Sequence, residues 1–250
     1  LSFPLPDLPA WRWALACFCA FNIGVAKTGM PGLGILAVPL FVIAVGDARL
    51  SAGWLLPVLL TADLYAVIVY RRKAEANALF SLLPWVAAGM VGGALMLSFP
   101  ETVIRPLVGG ILLVCIGLFL LRLRGINLAR EGGHWHSGLY GTAAGFATMV
   151  ANAAGPVMNI YLLSRKLARE QFVATGAWFF FFVNLSKIPV YWWQGLFSAR
   201  SLAMGAALVP VTILGSVAGR AAIRHIPEKV FGASVVVLAL IATAALLLPR

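Results

Sequence analysis

The sequence predicts an all-α polytopic membrane protein made of a duplicated helical module, each copy opening on a broken helix. Three observations carry this. The 250 residues are 62% hydrophobic and 11% charged, with a mean hydropathy of +0.95, well above the roughly half-apolar make-up of a soluble domain. The charges gather in short connecting segments, leaving continuous apolar runs near the ~20 residues that a helix needs to cross ~30 Å of hydrocarbon. Residues 24–70 and 145–191 also lie on each other without a gap, and a repeat of membrane length means that one helical unit is used twice.

The apolar runs are residues 11–46, 50–70, 78–99, 103–121, 137–164, 172–196, 201–223 and 230–248. Their continuity favours helices over a barrel, whose strands alternate at every second residue. Repeat one covers residues 11–121 and repeat two residues 137–248, joined by the basic loop 122–136. Aligned identities are Gly24/Gly145, Ala26/Ala147, Gly34/Gly155, Leu64/Leu185, Val69/Val190 and Tyr70/Tyr191. After a short insertion the copies match again at Phe99-Pro100-Glu101 and Ile226-Pro227-Glu228. With so few identities in an apolar chain, the order of elements carries more weight than the letters.

The first run of each copy differs from the rest. Residues 11–46 are too long for one crossing and are interrupted by Gly29-Met30-Pro31-Gly32, which removes a helical donor and allows non-helical backbone. Residues 137–164 break at Asn152-Ala153-Ala154-Gly155-Pro156, leaving a second arm too short to span. Positive residues cluster in Arg71-Arg72-Lys73, residues 122–130, Arg165-Lys166-Arg169 and Arg220-Arg224-Lys229. If both broken runs are re-entrant hairpins that return to their own side, all four clusters lie in the cytoplasm, as the positive-inside tendency requires. The two copies, each a broken first helix followed by three spans, are then inverted repeats. If each broken run crosses once, the Arg165 and Arg220 loops fall outside. The first run, from Trp11, reads as part of the mature fold, because Arg12 is the one early positive charge and no cleavage site follows.

Broken helices expose amides whose partial positive charge binds anions. Copy one offers Gly29, Gly32 and Gly34, and copy two Asn152, Gly155 and Asn159, with Thr28 and Thr148 as hydroxyl donors. The competing reading is that Gly and Pro here permit bends and close packing. Lys27, Asp63 and Lys187 are ionisable groups inside apolar runs, each costing about 2.5 to 3.5 kcal/mol near a helix centre. Lys27 either adds to the field on an anion or snorkels to an interface. Asp63, aligned with Asn184, either accepts a coupling proton or forms a structural ion pair with Lys27 or Lys187. Asn184 and Lys187 are three residues apart, on one helix face, where they can offer amide and ammonium donors to an oxyanion. The run of residues 179–182 reads as lipid-facing or packing surface, and Trp192 and Trp193 as an interfacial belt.

Several functions fall on inventory. The net charge of +11 is scattered through loops, without the stripe and aromatic platforms of a nucleic-acid binder. His134, His136 and His225 all lie in connecting segments, which removes an intramembrane Ser/His pair or a His-ligated metal. Asp63 is the one Asp in a span, which removes an aspartyl dyad unless a second chain supplies the partner. Cys17, Cys19 and Cys115 have no ligand or pairing pattern and read as small hydrophobes. The chain is not expected to be an enzyme or to carry a metal or cofactor, and without a nucleotide motif its energy source is a gradient or a partner.

Asn152-Ala153-Ala154-Gly155-Pro156-Val157-Met158, Thr175-Gly176-Ala177-Trp178-Phe179-Phe180 continuing to Asn184-Leu185-Ser186-Lys187-Ile188-Pro189, and Lys27-Thr28-Gly29-Met30-Pro31-Gly32-Leu33-Gly34 followed by Val38-Pro39 resemble the TauE/SafE family of membrane anion permeases, also called the sulfite exporter family. The likeness covers nearly the whole chain, although members usually carry denser glycines in the broken helices. It implies movement of small organic or inorganic sulfur oxyanions such as sulfite, sulfoacetate or other organosulfonates, generally without ATP. The expected protein is a multi-pass secondary carrier of the cell membrane, in contact with the lipid bilayer and not with nucleic acid, with a homodimer as one oligomeric option. The alternatives are a passive anion channel and a non-transporting membrane scaffold.

Overall fold

Proline and glycine decide where these apolar runs stop being helix. The computed structural model describes residues 4–29, 34–70, 74–126 and 134–222, with residues 240, 241, 243, 244 and 247. Met30, Pro31 and Gly32 of the first expected break with Leu33 after them, the Arg71-Arg72-Lys73 cluster, residues 127–133 of loop 122–136, Arg224, His225, Ile226-Pro227-Glu228, Lys229 and most of the last expected span lie outside the described residues. The described chain is helical, in the order α1 Ala10–Thr28, α2 Gly34–Val45, α3 Ala48–Tyr70, α4 Ala76–Phe80, α5 Leu83–Met96, α6 Glu101–Leu123, α7 His134–Ala151, α8 Gly155–Ser164, α9 Arg169–Trp193 and α10 Ala199–Ala222. Among the described residues five stretches are long and apolar enough to cross a membrane: Ala48–Tyr70, Ala76–Met96, Glu101–Leu121, Glu170–Trp193 and Ala199–Ala221. Their outer faces carry Ile68, Leu95, Val114 and Leu214, all exposed, as lipid contact requires.

The two broken runs are each a pair of helices. α1 ends at Thr28, where Gly29 N–H still donates to Val25 O, and α2 resumes at Gly34 as a 12-residue helix. α7 ends at Ala151, and Asn152 turns the chain through a left-handed backbone (φ 52°). Asparagine tolerates that conformation better than other side-chain-bearing residues. α8 then runs only 10 residues, about 15 Å at 1.5 Å per residue. Two boundaries differ from the sequence expectation. The run 78–99 is split, because Ser81-Leu82 form a turn before α5, with Pro84 in the first turn of the new helix. His134 and His136 are not in a loop; they open α7.

Hydrogen bonds between helix ends give each helix its direction. At one end Arg49 Nε donates to Leu97 O (2.7 Å) and Arg49 Nη2 to Gln194 O (2.9 Å). Glu101 there accepts the first amides of α3, Ala48 N–H at 2.8 Å and Arg49 N–H at 3.1 Å, a carboxylate capping a helix N-terminus. At the opposite end Tyr70 Oη donates to Thr28 O (3.0 Å), Glu75 N–H to Thr175 Oγ1 (2.9 Å), and Arg165 Nη2 to Ser81 Oγ (3.0 Å). α3 and α9 are therefore antiparallel. α1 runs toward the Tyr70 end and α2 returns to start α3 at the Arg49 end. α7 runs the other way, and α8 brings the chain back to Arg165.

Between helices in lipid there is little hydrophobic driving force, so small residues that let backbones touch become the means of association. The two most extensively packed pairs are α1 with α10 and α5 with α7, and both are glycine clasps. Gly24 lies against Thr212 O and Ser216 N, Gly29 against Gly219 O, and Gly215 against Phe21 O. Gly145 lies against Val86 O and Met90 N, Gly89 against Thr142 O, and a Cβ on Gly93 would sit 2.7 Å from Met149 Cβ. Residue numbers rise together across each clasp, so both pairs are parallel. The Thr28 hydroxyl bridges the first, 3.0 Å from Gly24 O and 2.7 Å from Ser216 O.

A methyl group at Gly24 or Gly145 has no room, because it meets backbone. Gly24→Val and Gly145→Val are each expected to lose at least the ~1–3 kcal/mol of an overpacked core, seen as a lower melting temperature in detergent. Gly110→Ala, where an added Cβ meets nothing within 4 Å, is expected to melt no lower than the parent. Equal melting of all three variants would show that the clasps do not hold the fold.

Candidate functional site

Between the helix pairs α1–α2 and α7–α8 and the α3–α9 pair lies a cavity of about 90 Å³. α1 contributes Lys27, α2 Gly34 and Val38, α3 Leu55 and Leu59, α7 Thr148 and Asn152, α8 Gly155 and Asn159, and α9 Phe172, Phe180 and Asn184. One wall is polar and the rest apolar. Gly34 and Gly155 begin α2 and α8, so the cavity touches the N-terminal end of both short helices. At Gly155 an added Cβ would meet nothing within 4 Å. No side chain caps α8, and Pro156 brings no N–H, so the remaining amides of its first turn have no side-chain acceptor.

The polar wall is a continuous bonded network. Lys27 Nζ lies 2.7 Å from Asp63 Oδ1 and 3.7 Å from the centre of the Phe180 ring, close enough for attraction between the ammonium and the ring face. Asn184 Nδ2 donates to Asp63 Oδ2 at 2.6 Å. Lys187 Nζ donates to Asn184 Oδ1 (2.7 Å), Asn152 Oδ1 (2.7 Å) and Thr148 Oγ1 (2.8 Å). Asn152 Nδ2 in turn donates to Ala52 O on α3 at 3.0 Å. Asp63, Asn184 and Lys187 are buried, so these bonds replace the water that the groups would otherwise need. Asp63 and Asn184, at equivalent positions of the aligned segments, touch each other. Lys27 and Thr148 are equivalent too, and each meets the polar group that α3 or α9 of its own half presents.

The sequence-derived candidates divide into three groups. Lys27, Gly34, Thr148, Asn152, Gly155, Asn159 and Asn184 come together on the cavity. The side chain of Asn159 is buried. Thr28 and Gly29 face α10 in the glycine clasp, and Lys187 lies behind the wall with all three protons engaged. Gly32 lies outside the described residues. Asp63 is the ion-pair partner of Lys27, not of Lys187. Phe180, read from sequence as lipid-facing or packing surface, lines the cavity beneath Lys27. Its position four residues before Asn184 puts it on the same helix face, and that spacing was the available signal. Among the described residues no group of three His, Cys, Asp or Glu could hold a metal.

A family model described as sulfite exporter TauE/SafE matches residues 15–246. The comparisons with curated proteins and with solved structures found no match.

Asp63→Leu leaves Lys27 buried beside no carboxylate and Asn184 without its acceptor. Breaking such a pair costs about 3–5 kcal/mol, whereas replacing both partners with apolar groups is often near neutral. Unfolding measured on Asp63→Leu, Lys27→Met and the double variant is therefore expected to place the double well above Asp63→Leu. Additive losses would mean that the two charges do not stabilise each other.

Proposed function

The chain belongs to the TauE/SafE sulfite exporter family, and on that premise we propose that it is a secondary carrier of small sulfur-containing anions, sulfite or organosulfonates, working by alternating access. The observation that carries the reading is the chemistry of the cavity's polar wall. It presents an ammonium, a hydroxyl, three side-chain amides and an open helix N-terminus, and its one carboxylate is already paired with Lys27. Such a wall attracts an oxyanion and repels nothing negative. In this reading Lys27, Thr148, Asn152, Asn159, Asn184 and the α8 amides at Gly155 hold the anion, while Phe180 and Leu59 exclude water around it.

The two halves are read as inverted repeats with re-entrant first helices. Three features support this: the antiparallel course of the aligned helices α3 and α9, the opposite courses of the two hairpins, and the exchange by which the first helix of each half clasps the third of the other. The Arg165 end is assigned to the cytoplasm from its basic residues. At the Arg49 end bonds link α3, α5, α6 and α9, so rocking of the halves has a defined set of contacts to break, as a carrier needs and a continuously open channel does not.

The expected result is that one sulfur oxyanion, among sulfite, sulfoacetate, methanesulfonate and sulfate with chloride as the control, stabilises the purified protein selectively. At ~100 times its dissociation constant it should add ~2.7 kcal/mol. Gly155→Leu, which puts a side chain into the open space at the α8 N-terminus, should remove the shift. Flux into proteoliposomes should saturate; a linear rise with concentration would make the protein a channel, and no shift with any anion would end the anion reading. Unaltered transport by Asp63→Asn would exclude an obligatory proton on that carboxyl.

A further inference from the structure

Lys187 is among the largest fully buried side chains, and it is placed where it cannot touch a ligand. An ammonium has three donors and no acceptor. All three are spent, on Thr148 Oγ1, Asn152 Oδ1 and Asn184 Oδ1. Each of those acceptors belongs to a residue that lines the cavity. Accepting from Lys187 fixes what each can do on its other side. Thr148 keeps its own O–H proton to donate. Asn152 and Asn184 are held with their carbonyls toward the ammonium, which turns both NH2 groups away from it. One N–H of Asn152 goes to Ala52 O and one of Asn184 to Asp63, and each amide retains a second.

The charge count points the same way. Lys27 and Asp63 cancel. The charged groups that act on Lys187 are Lys27, which repels it, and Asp63, which attracts it from beyond Asn184. Among the described residues no carboxylate is bonded to Lys187 itself. The sequence shows why: the position equivalent to Asp63 in the second half is Asn184, so α9 brings a lysine to the centre without bringing its counter-charge. The network of Lys27, Asp63 and Lys187 therefore carries one formal positive charge in excess. A buried charge without a partner is costly, and an anion in the adjoining cavity removes that cost.

We propose that Lys187 is a positioning residue of the anion site: it makes no contact with the anion, fixes Thr148, Asn152 and Asn184 as donors toward it, and supplies the single positive charge that a monoanion balances. This rests on the anion reading of the same cavity and adds to it the charge of the cargo and the group that sets it.

The test is the preference for methanesulfonate over methanesulfonamide, a neutral molecule of nearly the same shape, read as the ratio of their apparent affinities in thermal-shift titrations of the purified protein. The wild type is expected to prefer the anion at least tenfold. Lys187→Met should bring the ratio close to one. Because that variant strands three acceptors and can fail to fold, Lys187→Gln is measured beside it. This change keeps two N–H donors for Thr148, Asn152 and Asn184 and removes the charge, so the anion-free protein is expected to melt no more than a few degrees from the wild type while the anion preference falls at least tenfold. A purely structural lysine would leave the preference of Lys187→Gln as in the wild type, and that result overturns the proposal. A wild type that prefers the anion, with Lys187→Met keeping the preference, overturns it as well and leaves the anion reading standing. A wild type that does not prefer the anion overturns both.

Discussion

The two oxygens of Asp63 organise the centre of this protein. One accepts from Lys27 on α1 and the other from Asn184 on α9, so a single carboxylate on α3 holds three helices at one depth. In water such a contact competes with solvent and is worth little. Where hydrocarbon surrounds the bundle no substitute partner exists, and the polar groups must satisfy one another. The chain of bonds then continues through Asn184 to Lys187 and from Lys187 to Asn152, the residue whose left-handed backbone ends α7. The break in the second hairpin is thus held in place by a sequence of hydrogen bonds that begins on α3.

Two kinds of force are separated in space. Around the outside, glycine clasps hold α1 to α10 and α5 to α7 by backbone contact, with no charge involved. At the centre the contacts are polar and pass between α1, α3, α7 and α9. Close packing of this kind resists deformation and has one best arrangement. Hydrogen bonds can exchange partners, including a ligand for a side chain. The cavity lies on the exchangeable side of this division, and Thr28 and Gly29, one and two residues after Lys27 in sequence, lie on the other.

That division explains what could be read from the sequence. The helical class, the broken first run of each half and the polar set Lys27, Asp63, Asn152, Asn184 and Lys187 were all legible, because ionisable and amide groups in apolar runs have few uses. The contact between Asp63 and Asn184 was implicit in their alignment. Glycine was ambiguous, since it signals both an opened helix and a close helix pair. Gly34 and Gly155 proved to be of the first kind and Gly29 of the second, and only the position of α10 separates them. Phe180 was hidden by its neighbours, because a run of identical aromatic residues shows no face until the helix has a partner. The turn at Ser81-Leu82 was invisible to hydropathy, which stays high across it, although Pro84 marks the restart.

The clasp between α1 and α10 also bears on how the chain is made. Thr28 and Ser216, which it joins, are 188 residues apart. At ~5–20 residues per second a ribosome takes roughly 10–40 s to cover that distance. Throughout that interval α1 has left the ribosome with its glycine face unpartnered, while α7 emerges after α5 and can pair at once. The second clasp is therefore ready first, and α1, made before α5, α7 and α10, reaches its clasp partner after α7 has reached its own. During that wait its small-residue face is open to any other helix in the membrane, which makes α1 the element whose custody by the insertion machinery decides whether the chain assembles with itself.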